Sequence, residues 1–213
     1  MTGERRLWDI SQTLGPGLPV WPGDTPFATG RRWTEGQGSP VTVSFFTTTV
    51  HAGAHADAPL HYSPSGESAA EVSLGAYLGP CRLIDAQGES PAITAAFVER
   101  AVIAPPPRVL FRTYQAFPHE RWRSDFTTID ADAIRALAAR GVRLVGLDSP
   151  SLDPQDSKTM DAHHAVLAAD MRVLEGLVLD EVPVGDYELI ALPLKLEGLD
   201  ASPVRAVLRE IAP

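Results

Sequence analysis

The sequence predicts an α/β fold of mixed strands, with helices interspersed among them rather than strictly alternating. Three observations carry this. Strand-length runs rich in apolar and β-branched residues recur along the whole chain, a few segments between them carry helix-boundary signals, and no repeat, low-complexity tract or linker divides the 213 residues. A single domain spanning residues 1–213 is therefore expected. Hydrophobic residues at 44% and charged residues at 21% match ordinary globular usage. A chain of this size can remove roughly 70% of its unfolded surface from water.

Taken in order, the first forty residues are punctuated by Gly15-Pro16-Gly17, Pro19, Pro22-Gly23 and Pro26, which favour turns and extended connections. The run VTVSFFTTTV from Val41 to Val50 reads as a buried strand, because β-branched and aromatic residues fit a pleated, packed surface. Ser90-Pro91 reads as an N-cap and first helical residue of a helix reaching about Ala101. Pro105 to Pro107 ends it, and Arg108 to Thr113 reads as a strand. Asp130 caps a helix from Ala131 to Arg140, Gly141 closes it, and Val142 to Leu147 forms the next strand. Asp161 to Asp170 suits a short helix, and apolar strands are expected near Gly176–Leu179 and Leu189–Leu196. The tail from Val204 to Arg209 alternates apolar and charged residues except at Val207, which suits a half-exposed strand.

Composition excludes several functions. The net charge is −9, so the basic footprint that a phosphate backbone needs is missing and nucleic acid is not an expected partner. One cysteine, Cys81, can form neither an internal disulfide nor a thiolate metal cluster, and reads as a small buried hydrophobe. No run of about 18 apolar residues exists to span a membrane. Met1 to Trp8 is followed by Asp9 rather than an apolar stretch, so no secretory signal is read and a cytoplasmic protein is expected. G-x-S-x-G, H-E-x-x-H and G-x-x-x-x-G-K-[ST] are all absent, removing the usual serine-hydrolase, zincin and P-loop readings.

Histidine carries the chemistry. The segment His51-Ala52-Gly53-Ala54-His55-Ala56-Asp57-Ala58-Pro59-Leu60-His61 holds three of the six imidazoles and a carboxylate, separated only by Ala, Gly, Pro and Leu. All four fall on odd positions, so an extended backbone projects them to one side, whereas a helix would align only His51 with His55. Such a cluster repels itself when charged and is costly to bury unpaired. A divalent metal removes both problems, since imidazole and carboxylate are the usual zinc and manganese ligands. A second constellation, Asp161-Ala162-His163-His164 followed by Glu175, is weaker: adjacent histidines on a helix face different ways. Glu175 lies in the apolar stretch Val173–Leu179 and either faces solvent or is paired, capped or metal-bound. His119, in a polar stretch, reads as a surface residue.

The His51–His61 segment resembles the H-x-G-[TA]-H-x-D-x-P-x-H signature of the metal-dependent cyclase/hydrolase family. Three further segments are similar to the family's bacterial kynurenine formamidase branch: Trp8-Asp9-Ile10-Ser11, Val20-Trp21-Pro22-Gly23-Asp24-Thr25-Pro26, and Asp161-Ala162-His163-His164 through Leu174-Glu175-Gly176. The likeness runs from about residue 7 to residue 209. It implies a flattened, β-barrel-like core of mixed sheet with helices outside (the swivelling β/β/α type), assembled as a homodimer or larger oligomer. It implies two Zn²⁺ per subunit, with Mn²⁺ or Co²⁺ suiting the same ligands. His51, His55 and Asp57 would hold the first ion, Asp57 would bridge to the second, and His163 and Glu175 would complete the site, with His164 in reserve for His163. His61 would be the catalytic proton shuttle and Trp21 would pack against the substrate ring. Ala54 stands where many relatives have Thr, a position that holds no metal. The implied reaction is hydrolysis of N-formyl-L-kynurenine to L-kynurenine and formate in tryptophan degradation. The alternatives are a related amidohydrolase or cyclic-amide or lactone hydrolase of the family, and a non-catalytic metal-binding relative.

Overall fold

Sixteen regular elements, besides two short 3₁₀ turns, make up the computed structural model, which describes residues 5–211. In chain order the first are β1 (Leu7–Asp9), β2 (Ala28–Trp33), β3 (Val43–Thr47), β4 (His55–Asp57), β5 (Leu78–Asp85), β6 (Ala92–Ile93), α1 (Ala95–Ala101) and β7 (Arg108–Arg112). There follow β8 (Thr128–Ile129), α2 (Ala131–Ala138), β9 (Leu144–Leu147), α3 (Asp161–Ala168), β10 (Arg172–Glu175), β11 (Gly185–Ile190), β12 (Ala201–Pro203) and β13 (Val207–Glu210).

Nine strands form one mixed sheet in the order β1-β13-β11-β5-β7-β9-β10-β4-β12. Its centre, β5-β7-β9-β10, is parallel, and both wings are antiparallel. Parallel strands require crossovers, and α1, α2 and α3 supply them between β5 and β7, β7 and β9, and β9 and β10. Because the centre is covered on both faces, β9 and β10 are buried at every position, as Val-Leu-rich parallel strands are. Val109, Phe111, Val145 and Leu147 pack under the helices against Phe97, Val98, Ile134, Leu137 and Val166. Leu110, Leu144 and Leu174 point the other way, into a second core with Ile10, Tyr77, Cys81, Leu83, Leu189 and Leu208. Each such side chain contributes about 1.5–3 kcal/mol of apolar burial. Gly146 makes the centre of β9 possible, since a Cβ there would sit 2.5 Å from Leu110 Cδ2. Cys81 is fully buried, as expected, and burial pushes its thiol pKa up. No helix among the described residues is long and apolar enough to cross a membrane.

Several local expectations need correction. The run Val41–Val50 does hold a strand, β3, but all five of its residues are exposed: it pairs only with β2, outside the main sheet, so neither face is covered by a further layer. The helix expected from Ser90-Pro91 begins at Ala95, capped by Thr94, whose Oγ1 accepts from Phe97 N at 3.2 Å. Ala92–Ile93 instead pairs with β8 as a two-residue strand. The strand placed at Gly176–Leu179 lies earlier, at β10, because Val173 and Leu174 pair in register with Val145 and Gly146 of β9. Regular pairing near Leu189–Leu196 stops at Ile190. The tail strand is β13, which is partly exposed as its alternation implied.

Candidate metal centre

The carboxyl ends of the parallel strands open into a cavity of ≈ 340 Å³, the usual location of a ligand crevice in an open α/β sheet. Tyr114 lies just beyond β7, Asp148 just beyond β9, and Glu175 at the end of β10, and all three line it. β4 supplies the rest. It runs antiparallel to β10 with His55 opposite Glu175 and Asp57 opposite Val173, so His55 and Asp57 share one face beside Glu175. On its other side, Ala201 of β12 pairs with Asp57, and Ala58 N donates to Asp200 O at 2.9 Å, which carries Asp200 to the same spot.

The backbone from His51 to His61 is not one extended segment. His51 lies in a turn, only His55–Asp57 is strand, and His61 ends a 3₁₀ turn opened by Pro59. The side chains nevertheless converge: ring centroids are 4.4 Å apart for His51 and His61 and 5.0 Å for His51 and His55. Gly176 closes the floor with φ +64, and a Cβ there would lie 2.5 Å from the Gly53 carbonyl oxygen.

Each buried histidine has one ring nitrogen held from outside and the other turned inward. His55 Nδ1 bonds Gly53 O at 2.8 Å, and His163 Nδ1 bonds Asp153 Oδ2 at 2.6 Å. Their Nε2 atoms point toward Asp57 and Glu175 at 3.3–3.4 Å, without hydrogen-bond geometry. His51 Nε2 bonds Asp200 Oδ2 at 2.9 Å, and its Nδ1 lies 3.1 Å from Asp57 Oδ1. Both Asp57 oxygens are buried without a hydrogen bond. Glu175 Oε1 accepts from Leu152 N at 2.8 Å, so the carboxylate expected either in solvent or paired is buried and paired. His163 is buried and belongs to this cluster, whereas His164 is exposed and does not. His119 is exposed, as expected.

Electrostatics follow from that crowding. Burial alone would raise the Asp57 pKa, but His163 and His51 hold it well below the usual range. Burial would lower His51, yet its bond to Asp200 and the nearness of Asp57 raise it to about 10. Burial and Asp57 push Glu175 upward, but His163 and His55 bring it below its ordinary value. The centre thus demands concentrated positive charge, and its donor atoms face inward with nothing but one another to satisfy them. Two donor sets can each gather around one point: His51, Asp57 and His61, and His55, Asp57 and Glu175. Neutral imidazole nitrogens backed by oxygens, with bare carboxylates between them, fit a divalent metal.

Two members escaped the sequence reading. Asp153 orients His163, and Asp200 is shared by His51 and His61, whose Nδ1 bonds it at 3.1 Å. Trp21 lines the cavity, edge-on to Trp122 at 5.3 Å.

Comparison with known proteins places this architecture. The family described as "Putative cyclase" matches residues 8–154. The chain belongs to the cyclase family. That match holds Trp21, His51, His55, Asp57 and His61, while His163, Glu175 and Asp200 lie beyond it. Among cyclase-family relatives, the chain is 57% identical to a kynurenine formamidase of Maricaulis maris, over 97% of this chain and 99% of that one. It is 55% identical to a kynurenine formamidase of Sphingopyxis alaskensis, over the same shares. A solved predicted metal-dependent hydrolase from Bacillus stearothermophilus superposes with a TM-score of 0.84 at 31% identity, covering 98% of this chain and 100% of that one. The curled mixed sheet with helices outside is thus the cyclase-family fold, as the resemblance implied.

Proposed function

We propose that the chain is a metal-dependent kynurenine formamidase, hydrolysing N-formyl-L-kynurenine to L-kynurenine and formate. The observation that carries this is the set of inward donors: His55 Nε2, His163 Nε2 and both Asp57 oxygens, buried and without hydrogen-bond partners in a chain 57% identical to a kynurenine formamidase. His51, His55 and Asp57 would hold one ion, and His163, whose Nε2 lies 3.3 Å from Asp57 Oδ2, would hold a second with Glu175. Asp57 is common to the His51–Asp57–His61 and His55–Asp57–Glu175 groups. Imidazole and carboxylate favour Zn²⁺, and Mn²⁺ or Co²⁺ suit the same atoms. When bound, a divalent metal lowers the pKa of coordinated water to about 7 and polarises a carbonyl oxygen.

The chain's own groups do the rest. Asp200 holds His61 Nδ1, which leaves Nε2 to carry a proton, and the ring is partly open to solvent. An anilide nitrogen is a poor leaving group until protonated, so His61 delivers a proton to it as the C–N bond breaks. Trp21, Trp122 and Phe117 line the cavity with aromatic surface suited to the substrate ring and exclude water from one side of it. The family likeness further supports one hydrolase domain over residues 1–213, working as a cytoplasmic homodimer with two ions per subunit.

The test joins metal analysis to a substrate panel. After dialysis against a chelator, hydrolysis of N-formylkynurenine should fall and return on adding Zn²⁺. Unchanged activity after verified metal loss would overturn the metal reading. A metal-loaded protein that instead hydrolyses only cyclic amides or lactones would overturn the substrate.

A further inference from the structure

Away from the histidine cluster, the cavity wall carries two guanidinium groups, those of Arg121 and Arg123. They are not equivalent. Arg123 Nε and Nη2 donate to the two oxygens of Asp125 at 2.9 and 2.5 Å, so its charge is already matched. Arg121 makes no hydrogen bond or ion pair among the described residues, and adds only a longer-range attraction to the already engaged Asp125. Its place is nonetheless anchored. Trp122, next in the chain, packs against Trp21 and donates its Nε1–H to Gln155 Oε1 at 2.7 Å.

The same packing brings in an unmatched acid. Asp24 closes a turn with Trp21, its N donating to Trp21 O at 2.9 Å, and it too lines the cavity. Its carboxylate accepts only from Thr25 N, at 2.6 Å, and no cationic side chain pairs with it among the described residues. The Trp21–Trp122 contact therefore joins a segment bearing a free guanidinium to one bearing a free carboxylate, next to the aromatic wall. Both side chains are exposed on the cavity wall, so a ligand with one negative and one positive group meets an opposite charge for each there.

We infer that Arg121 binds the α-carboxylate of the substrate and Asp24 its α-ammonium, making these two the residues that select an amino-acid-bearing aryl formamide. The inference rests on the formamidase reading. A guanidinium matches a carboxylate in geometry as well as charge, and a site built around such a group discriminates against a substrate that lacks it.

The experiment compares N-formyl-L-kynurenine with 2′-formamidoacetophenone, the same aryl formamide without the amino-acid head, in the metal-loaded protein. The wild type should favour the first by about 10- to 100-fold in kcat/KM, the range for losing bonds to a charged group. Arg121→Gln should raise KM for N-formylkynurenine by about the same factor with kcat little changed, and so lose most of the preference. Arg121→Lys should recover part of it, and Asp24→Asn should weaken it while leaving metal content unaltered. If Arg121→Gln keeps the wild-type preference and KM, the assignment is overturned while the formamidase reading stands. If the metal-loaded wild type turns over neither formamide, both fall together.

Discussion

Removing the Asp153 carboxylate should loosen the metal centre without touching any atom that faces it. Asp153 accepts from Ala162 N at 3.0 Å, from His163 N at 3.1 Å, and bonds His163 Nδ1 at 2.6 Å. The first two caps matter because the residue preceding α3, Met160, has a left-handed φ of 49° and a side chain that caps nothing. One carboxylate reached from outside the helix therefore both satisfies the free N–H groups of α3 and fixes the rotation of the His163 ring. Its pKa shows the coupling: burial would raise it, but the bonds to His163 and to the backbone bring it down. Losing an N-cap and a charge-assisted bond costs about 1–3 kcal/mol of stability. Losing the partner of a metal-bound histidine costs about 10- to 100-fold in metal affinity, or about 1.4–2.7 kcal/mol. Asp153→Ala should show both, measured by urea denaturation of the metal-free protein and by competition for Zn²⁺ with a chelating dye. Asp153→Asn, which keeps one acceptor oxygen, should fall between. The reasoning is refuted if Asp153→Ala binds Zn²⁺ as tightly as the wild type.

Further outcomes can be checked in the same protein. His163→Ala should lose metal while His164→Ala keeps it, as read by elemental analysis, because only the first ring is buried in the cluster. His61→Ala should keep its metal and lose about 10²- to 10⁴-fold in turnover, and loss of metal instead would make His61 a ligand. Asp148 is buried, and burial raises its pKa from 3.8 to about 6 despite bonds from Thr113 and Tyr114. A group raised in the folded state binds its proton there first. Its contribution is thus greatest below pH 4 and is lost as pH rises through 6, a change of about 3 kcal/mol. Asp148→Asn should abolish that component, so the wild-type-minus-variant stability difference in urea should grow as pH falls from 7 to 4. A difference flat with pH would disprove the assignment. Gly176→Ala should destabilise the fold by about 1–3 kcal/mol in thermal unfolding, since its Cβ meets the Gly53 carbonyl and φ is +64.

Much of the site could be read from the chain because its chemistry is local in sequence. His55 and Asp57 are two residues apart on a strand, which is sufficient to put both on one face, and small residues between the ligands leave the backbone room to approach. Asp153 and Asp200 stayed hidden for the opposite reason. Asp200 meets His51 across 149 residues and His61 across 139, and no spacing rule reaches that far. It is placed by the pairing of β12 with β4, a register that emerges only when the sheet assembles. The α/β class followed from apolar runs and helix-boundary signals, and α2 begins at Ala131 just after Asp130 as expected, although the Asp130 side chain makes no capping bond and the helix stops at Ala138 rather than Arg140. The exposed β3 has the sequence of a buried strand because Val43, Phe45 and Phe46 match the composition of a packed one, while burial depends on what lies opposite. At β10 the apolar run Val173 to Leu179 marked the neighbourhood correctly, but the ladder ends at Glu175, where the chain turns at Gly176 toward the cavity.

The unsatisfied donors around Asp57 have a consequence for the thermodynamics of the whole chain. His55 and Asp57 come from β4, between β10 and β12, His163 from a crossover helix and Glu175 from the end of β10, so ions held by these side chains would be cross-links that the unfolded chain cannot reproduce. Any species that binds the native state alone stabilises it by mass action, by about 2.7 kcal/mol at a hundred times its dissociation constant. The melting temperature should therefore rise with free metal concentration and fall in a chelator. Scarcity of metal would then act on this protein twice, lowering the activity of each folded molecule and the number of molecules that stay folded.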